Sequence, residues 1–527
     1  MRTSLTRFGG LLPRQSDLNK DVSFADIAEN VDLARGTLRP WRQPAKISET
    51  TGGAIYVDGC CVIAGGCHAR FAEVGTGCGR IVVATGISHA PVFTSTCPPQ
   101  WEPLGFPCRM AAPTVGVAPV KRREDFSLEL RSYYYTVVNR LGWESAPSLP
   151  SEWLRVNSLD DVTVSGFAVP DNATAIRLYR AQTPLDFGVE QNDAAADAVY
   201  LLVDERPADT AIISDRVKVA GQACDTEDYD APPADLREVR AWRDGRLAGL
   251  TGDHFRMSAL GAPHAWPLKF TVACNDHPVA LLTDEDIAYV LTDGRPVALV
   301  IHGDCGDGHP IEIREAAQAL PCISRQSAAM HGGVALYASH AGLVAMQGNN
   351  AQIITRDYYT ADQWQALRPH TMRGAVSDGV YYGATDTAFI RFDLPDDVFA
   401  DAQTGAMTTL SLRPQALATS ADGRLYLALT DGTYAWNAGD TTLPYRWRGK
   451  VQSTSGTVRM SAWRLRTTAN VEVTHWLGTR EIQRVQAGNH ACRLPVGYAG
   501  EEWQVEIRGT GEVSEYMMAT GIRELLR

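Results

Sequence analysis

Five short stretches of this chain repeat one pattern, a polar turn ending in glycine followed by a strand of apolar and aromatic residues. They are Arg243-Asp244-Gly245-Arg246-Leu247, Thr292-Asp293-Gly294 ahead of Val297-Ala298-Leu299-Val300, His331-Gly332-Gly333-Val334-Ala335-Leu336-Tyr337, Ser377-Asp378-Gly379-Val380-Tyr381-Tyr382, and Ala421-Asp422-Gly423-Arg424-Leu425. Their glycines Gly245, Gly294, Gly333, Gly379 and Gly423 fall 49, 39, 46 and 44 residues apart. A unit of about 40–50 residues is the size of one four-stranded propeller blade, which cannot bury both faces alone and must stack on neighbours. Each repeat also has a local reason to turn, because Asp-Gly supplies the positive φ that a tight hairpin needs. A second turn signal, Thr430-Asp431-Gly432, follows the strand Leu425-Tyr426-Leu427-Ala428-Leu429. The competing arrangement is a β-sandwich with coincidental spacing.

At 527 residues the chain is far longer than a single compact core requires, so two to four domains are expected. Its 45% hydrophobic and 21% charged content is that of a globular protein, which argues against large-scale disorder. No apolar run is long enough for a transmembrane helix, and the basic segment Met1–Pro13 lacks the continuous apolar stretch of a secretory signal.

Six of the eleven cysteines, Cys60, Cys61, Cys67, Cys78, Cys97 and Cys108, crowd into one N-terminal region. None shows C-x-x-C spacing, so free, mostly buried thiols are expected in preference to a metal site built on Cys60, Cys61, Cys67 and His68. No metal and no cofactor is expected.

The net charge of −12 disfavours general nucleic-acid binding. It is unevenly spread: from Leu443 onward 12 basic residues face 8 glutamates, a balance of +4, so the rest carries −16. A solvated charged surface is the plain explanation of that asymmetry.

The sequence predicts an all-β chain in four parts: 1–111, an N-terminal segment and the first part of a β-propeller; 112–220, an inserted sandwich; 221–442, the rest of the propeller; and 443–527, a C-terminal β-sandwich. Early strands are expected at Ala54–Val57, Cys61–Ala64 and Ile81–Ala84. The insert is expected to hold strands at Ser132–Asn139, Val162–Gly166, Ala175–Arg180 and Tyr200–Val203. Its tyrosine strand, followed by a glycine turn, a Ser/Pro segment and Ile176-Arg177-Leu178-Tyr179-Arg180, resembles a fibronectin type III module. The acidic stretch Asp225–Leu236 has carboxylates but lacks the glycine and bidentate glutamate of a calcium loop, so it is read as a linker. Val471–Trp476 and Glu502–Ile507 alternate polar and apolar residues, as strands with one wet face do.

Catalytic signatures are sparse. There is no G-x-S-x-G elbow, P-loop or H-E-x-x-H motif, and the histidines are scattered singly. No catalytic residue is nominated. A propeller glycosidase would need converging carboxylates; Leu429–Trp436 is only a loose echo of the structural aspartate box of sialidases. Thr360 or Asp362 can cap a short helix, and Tyr358, Tyr359 and Trp364 are candidate aromatic anchors at a subunit interface, with interior packing as the alternative.

Ile27–Arg42, the early fibronectin-like insert, the Pro232-Pro233-Ala234-Asp235-Leu236 linker, Pro263-His264-Ala265-Trp266-Pro267, Thr355-Arg356-Asp357 and Asp362-Gln363-Trp364 together resemble the tail tubular or nozzle proteins of short-tailed bacteriophages. The resemblance runs over nearly the whole chain through architectural features and not through an active site. It implies a virion protein that is no enzyme, made in the host cytoplasm and assembled as a homohexameric ring at the head–tail connector. Its partners would be its own copies, portal and adaptor proteins and tail fibres, with genomic DNA ejected through the channel without specific binding and no membrane span. The alternative is a propeller glycosidase or a glycan-binding host-recognition protein.

Overall fold

The computed structural model describes residues 1–17, 19–76, 79–106, 110–118, 127–184, 199–217, 219–301, 311–399 and 406–525. Cys78 and Cys108 lie outside them. The chain is nearly all β, built of many small sheets; among the described residues the only α-helix is Ala361–Ala366. It divides into two compact units, one formed by Met1–Ala69, Asn275–Ile301 and Ile311–Arg527, the other spanning Arg70–Cys274.

In the first unit the repeats are four-stranded antiparallel meanders. The first comprises Pro278–Asp284, Ile287–Thr292, Val297–Ile301 and Ile311–Glu315; the second, Ala329–His331, Val334–Ala338, Leu343–Gln347 and Asn350–Ile353; the third, Arg373–Ser377, Val380–Ala384, Phe389–Asp393 and Met407–Thr409. The fourth has three strands of its own, Ala416–Thr419, Leu425–Leu429 and Gly432–Ala435, and is completed by Ala45–Ser48 from near the N-terminus. A two-stranded hairpin, Ala54–Asp58 with Cys61–Gly65, packs beside it. Opening strands of successive meanders lie against one another, 416–419 on 373–377, 373–377 on 329–331, and 329–331 on 278–284. Alanines and aromatics fill the layers between sheets, among them Ala335, Tyr337, Tyr289 and Ala298.

Four of the five glycine turns join the first and second strands of a meander, with positive φ at Asp244 and Gly245, at Gly332 and Gly333, at Asp378 and Gly379, and at Gly423. Asp293-Gly294 differs. It joins the second strand to the third, and the corresponding first hairpin of that meander turns instead at Glu285-Asp286. The uneven 49- and 39-residue intervals arise from this displacement.

The C-terminal strands form two facing sheets. One holds Arg2–Leu5, Val513–Ala519, Ala462–Thr467 and Ala491–Arg493; the other holds Ala25–Glu29, Tyr445–Gly449, Gly500–Gly509, Val471–Leu477 and Arg480–Ala487. Arg2 pairs with Ala519, so the first strand of the chain lies beside nearly the last. The second sheet continues into the 373–409 meander through a parallel pairing of Glu29 with Thr409. Between the sheets lie Trp447, Trp463, Trp503, Tyr516 and His475, all buried.

The second unit contains two further meanders. One is Arg70–Thr76, Gly79–Thr85, Val92–Thr94 and Glu102–Pro103; the other is Arg237–Trp242, Arg246–Thr251, His254–Met257 and Thr271–Ala273. Their opening strands pack together, and Arg70 Nε donates to Glu238 Oε2 at 3.1 Å in a buried pair. Between them in sequence come a three-stranded sheet (Thr114–Ala118, Asp161–Ser165, Ile212–Asp215) and a four-stranded one (Leu154–Asn157, Leu128–Asn139, Ala173–Pro184, Leu201–Pro207). Tyr133, Tyr135, Val137, Ile176 and Leu178 of the larger sheet share a core with Val162, Val164 and Ile213 of the smaller.

Candidate functional site

A cleft of about 540 Å³ opens in the second unit. Three stretches that no local motif links meet there: Glu144–Leu149, the acidic 227–231 stretch and 264–269, with Phe106 at one side.

The first wall is set by an unusual seam. Ser145, Ser148 and Ser151 donate their N–H groups to the carbonyls of Val137, Tyr135 and Tyr133 at 2.9, 2.8 and 2.7 Å. Their hydroxyls accept the N–H groups of those same three residues at 3.0, 3.1 and 3.0 Å. Pro147 and Pro150 stand between the serines, and every third side chain of the segment returns to the strand. The Ser/Pro segment was legible in the sequence, but its pairing partner was not.

His264 forms the floor. It is 6% exposed, stacks on Trp143 with centroids 5.0 Å apart and 10° between planes, and lies edge-on to Phe106 and Tyr229. Its Nε2 is 2.9 Å from the carbonyl oxygen of Glu144, which can only accept, so Nε2 carries the proton and Nδ1 is an unprotonated acceptor with no partner among the described residues. Burial pushes the imidazole down to about 4, which keeps it neutral at pH 7.

The carboxylates around the cleft are all held by protein donors. Glu144 accepts from Thr136 Oγ1 (2.5 Å), Tyr179 OH (2.7 Å) and Arg177 (2.5 Å). Burial and then the neighbouring Glu144 hold the Tyr179 hydroxyl protonated. Glu227 accepts from Tyr134 OH at 2.9 Å, Asp228 pairs with Lys269 Nζ at 2.5 Å, and Asp230 accepts from the Leu268 N–H at 3.1 Å. The stretch read as a linker is thus fastened, carboxylate by carboxylate, to the elements on either side.

Tyr358, Tyr359 and Trp364, the candidate interface anchors, are interior: 3%, 8% and 0% exposed. The Thr360 capping box does form, with Thr360 Oγ1 accepting from Gln363 N and Gln363 Oε1 from Thr360 N. The helix it starts turns Trp364 inward, where the indole N–H donates to Ser339 O at 2.9 Å. Tyr358 packs edge-on against Phe392, and Tyr359 against Trp364. These rings are therefore used within the chain, and the interface expectation for them is corrected.

The cysteine expectation is also corrected in part. Cys61 and Cys97 are disulfide-bonded, while Cys60 and Cys67 are exposed thiols, because folding sets sulfur positions that linear spacing does not disclose. His68 Nδ1 faces the Arg325 guanidinium at 3.1 Å and accepts from it. Among the described residues no group of three or more His, Cys, Asp or Glu side chains is placed to hold a metal ion, and no helix is long and apolar enough to cross a membrane.

No family model matches the chain, and no curated protein matches it. Among solved structures it is similar to the crystal structure of Kluyvelomyces marxianus Hsv2 at 8% identity, over 56% of this chain and 90% of that one, with a TM-score of 0.21. At that score the likeness carries no argument about fold or function.

Proposed function

We propose that the chain is a structural subunit of a ring-shaped phage tail tube, a nozzle below the portal and adaptor through which the genome leaves. In this reading the meanders are blades of a β-propeller, 112–220 is a fibronectin type III-like insert, and 443–527 is the core of a C-terminal β-sandwich. The observation that carries it is the commitment of the ionisable groups in the cleft: Glu144, Glu227, Asp228 and Asp230 each serve a structural donor, and His264 is buried and neutral. A hydrolase needs acid and base groups free to exchange protons with substrate, whereas a scaffold uses them as fasteners. The meander completed by Ala45–Ser48 supports the propeller, since a strand borrowed from the N-terminus is a way to close a ring of blades.

The rival is a glycan-binding host-recognition protein. The aromatic rings of Phe106 and Tyr229 beside the polar pair Asp228–Lys269 favour it, because sugars are held by ring faces and charged hydrogen-bonding groups together. Negative-stain microscopy of the purified chain separates the two. Six-fold rings with an open centre are the expected result; a monomer that binds a glycan array, and loses that binding in Tyr229→Ala, would overturn the structural reading.

A further inference from the structure

The excess positive charge of the C-terminal region has a definite location. In the sheet of Arg2–Leu5, Val513–Ala519, Ala462–Thr467 and Ala491–Arg493, Leu5, Tyr516, Leu465, Trp463 and Met518 face the core. The opposite face carries rows of paired residues: Arg2, Ala519, Ala462 and Arg493 in one, Ser4, Met517, Arg464 and Ala491 in the next, then Glu515 with Arg466. The short turn Ile522–Leu525 covers its centre, with Leu525 on Ala462, Met517 and Ala519, and carries Arg523.

Five guanidiniums thus belong to this face, with the carboxylates of Glu515 and Glu524. Glu524 pairs with the N-terminal ammonium of Met1 at 3.1 Å, and Glu515 is shared at 3.9 Å by Arg464 and at 3.7 Å by Arg466. Arg2, Arg493 and Arg523 are exposed and make no ion pair among the described residues. The other outer face of this region is different. There Arg446, Arg448 and Arg508 converge on buried Glu506, and Arg484 pairs with Glu481, so its charges are largely neutralised in place.

The chemistry of the face narrows its partner. Its apolar centre is closed: Leu525, Met517, Ala519 and Ala462 are buried, and only Ile522 of the turn is exposed, at 38%. Protein interfaces keep aromatic or apolar anchors at their centre, and membrane surfaces are entered by such side chains. Here those atoms are used within the chain, and guanidiniums point outward. Arginine forks match phosphate oxygens through paired hydrogen bonds, and a backbone bound in this way is held by charge with no base read. The face is also wide enough. Arg2 and Arg493 end one row three strand spacings apart, roughly 14 Å, close to the roughly 12 Å width of a duplex's major groove. We propose that the arginine face binds the sugar–phosphate backbone of duplex DNA irrespective of sequence. The chain's charge of −12 does not oppose this, because the residues from Leu443 onward carry +4 and phosphate binding follows local charge. One copy carries the whole face, so the inference does not need the ring.

The test is fluorescence anisotropy of a labelled mixed-sequence duplex, titrated with the full chain between roughly 50 and 200 mM salt. A circular dichroism melt checks that each variant is folded. The wild type is expected to bind at the lowest salt and to weaken as salt rises, with a log–log slope of about −0.9 per phosphate neutralised. The triple change Arg2→Gln, Arg493→Gln and Arg523→Gln is expected to flatten that slope by ~2.7 and to lose at least ~10-fold in affinity at the lowest salt. Lysine at the same three positions keeps the charge and the slope, and loses less affinity than glutamine, since only the fork is gone. Arg216→Gln, Arg413→Gln and Arg424→Gln, exposed arginines outside this sheet, should bind as the wild type does. A folded wild type that binds no duplex at the lowest salt overturns the proposal, whether or not microscopy shows rings. A monomer that binds the duplex overturns the ring reading and leaves this one standing. A glutamine triple that binds with the wild-type slope overturns the assignment to this face. Tighter binding to polyglutamate, or to phosphatidylserine vesicles, than to the duplex also overturns it, giving the face to an acidic protein or to a membrane.

Discussion

The facing sheets of residues 114–215 and those formed around 445–519 solve the same packing problem with different chemistry. In the first, a charged network runs through the interior: Asp215 is fully buried and accepts from Tyr133 OH at 2.8 Å, from Arg180 at 2.7 Å and from the Val217 N–H at 3.0 Å. Arg131, 4% exposed, is tied to Glu129 Oε1 at 2.6 Å and to the carbonyl of Ser158 at 3.1 Å. In the second, three tryptophans fill the space, and the one buried ring with a titrating nitrogen, His475, is hydrogen-bonded to Tyr516 OH at 2.9 Å. A charged interior fixes its partners by direction, because each donor must point at its acceptors. An aromatic interior fixes them by volume.

The contrast breaks first at Asp215. Asp215→Ala leaves the Arg180 guanidinium buried without its carboxylate partner, and about 3–5 kcal/mol of local stability is expected to be lost. Hydrogen exchange of the 128–139 amides reads this, and the 445–519 amides should be unaffected. The double change Asp215→Leu with Arg180→Met is expected to recover most of the loss, since an apolar pair avoids the desolvation cost. If the single change is silent, the network does not hold these sheets. On the other side, Leu465→Ala, a deletion in the tightly filled layer, is expected to cost about 3 kcal/mol and to speed exchange only within 445–519.

Acid should separate the two regions next. Burial pushes His475 down to about 3, against about 6.5 in an unfolded chain. The unfolded state therefore binds the proton first as pH falls, so stability is complete above about 6.5 and declines below it by ~1.4 kcal/mol per pH unit until about 3. Denaturant titrations at pH 7 and pH 5 should show that slope for 445–519, and His475→Gln should flatten it. A slope that persists in the variant would assign the acid sensitivity elsewhere.

What the sequence disclosed follows the range of its signals. Turns are local, so Asp244-Gly245, Asp378-Gly379 and the strands after them were readable, as was the Thr360 capping box. Phase was less so: Asp293-Gly294 has the same composition as its counterparts but sits one hairpin later. Pairings across hundreds of residues left no local trace. Nothing in Arg2–Leu5 announces Val513–Ala519, and nothing in Ala45–Ser48 announces Gly432–Ala435. The cleft was hidden for the same reason, because Ser145–Leu149, Asp228–Ala231 and His264–Lys269 lie far apart in the chain and none carries a motif that names the others. Tyr358, Tyr359 and Trp364 show the limit of composition: aromatic residues beside a polar helix start suit a surface and a core equally, and the direction of the helix decides.

The smallest effect tests the finest part of the comparison, the serine seam. Ser148→Ala removes the hydroxyl that accepts the buried Tyr135 N–H while keeping the backbone bond in the other direction. An orphaned buried donor costs about 1–3 kcal/mol, so exchange of that one amide should rise roughly ten- to hundredfold. Ser145→Ala and Ser151→Ala should do the same at Val137 and Tyr133, since each serine serves one residue of the strand. Equal and separate responses at 133, 135 and 137 would mean that the three-residue period of the proline segment sets the register. A collapse of all three from any one change would mean that the segment docks as a single body, and that these hydroxyls follow the register without setting it.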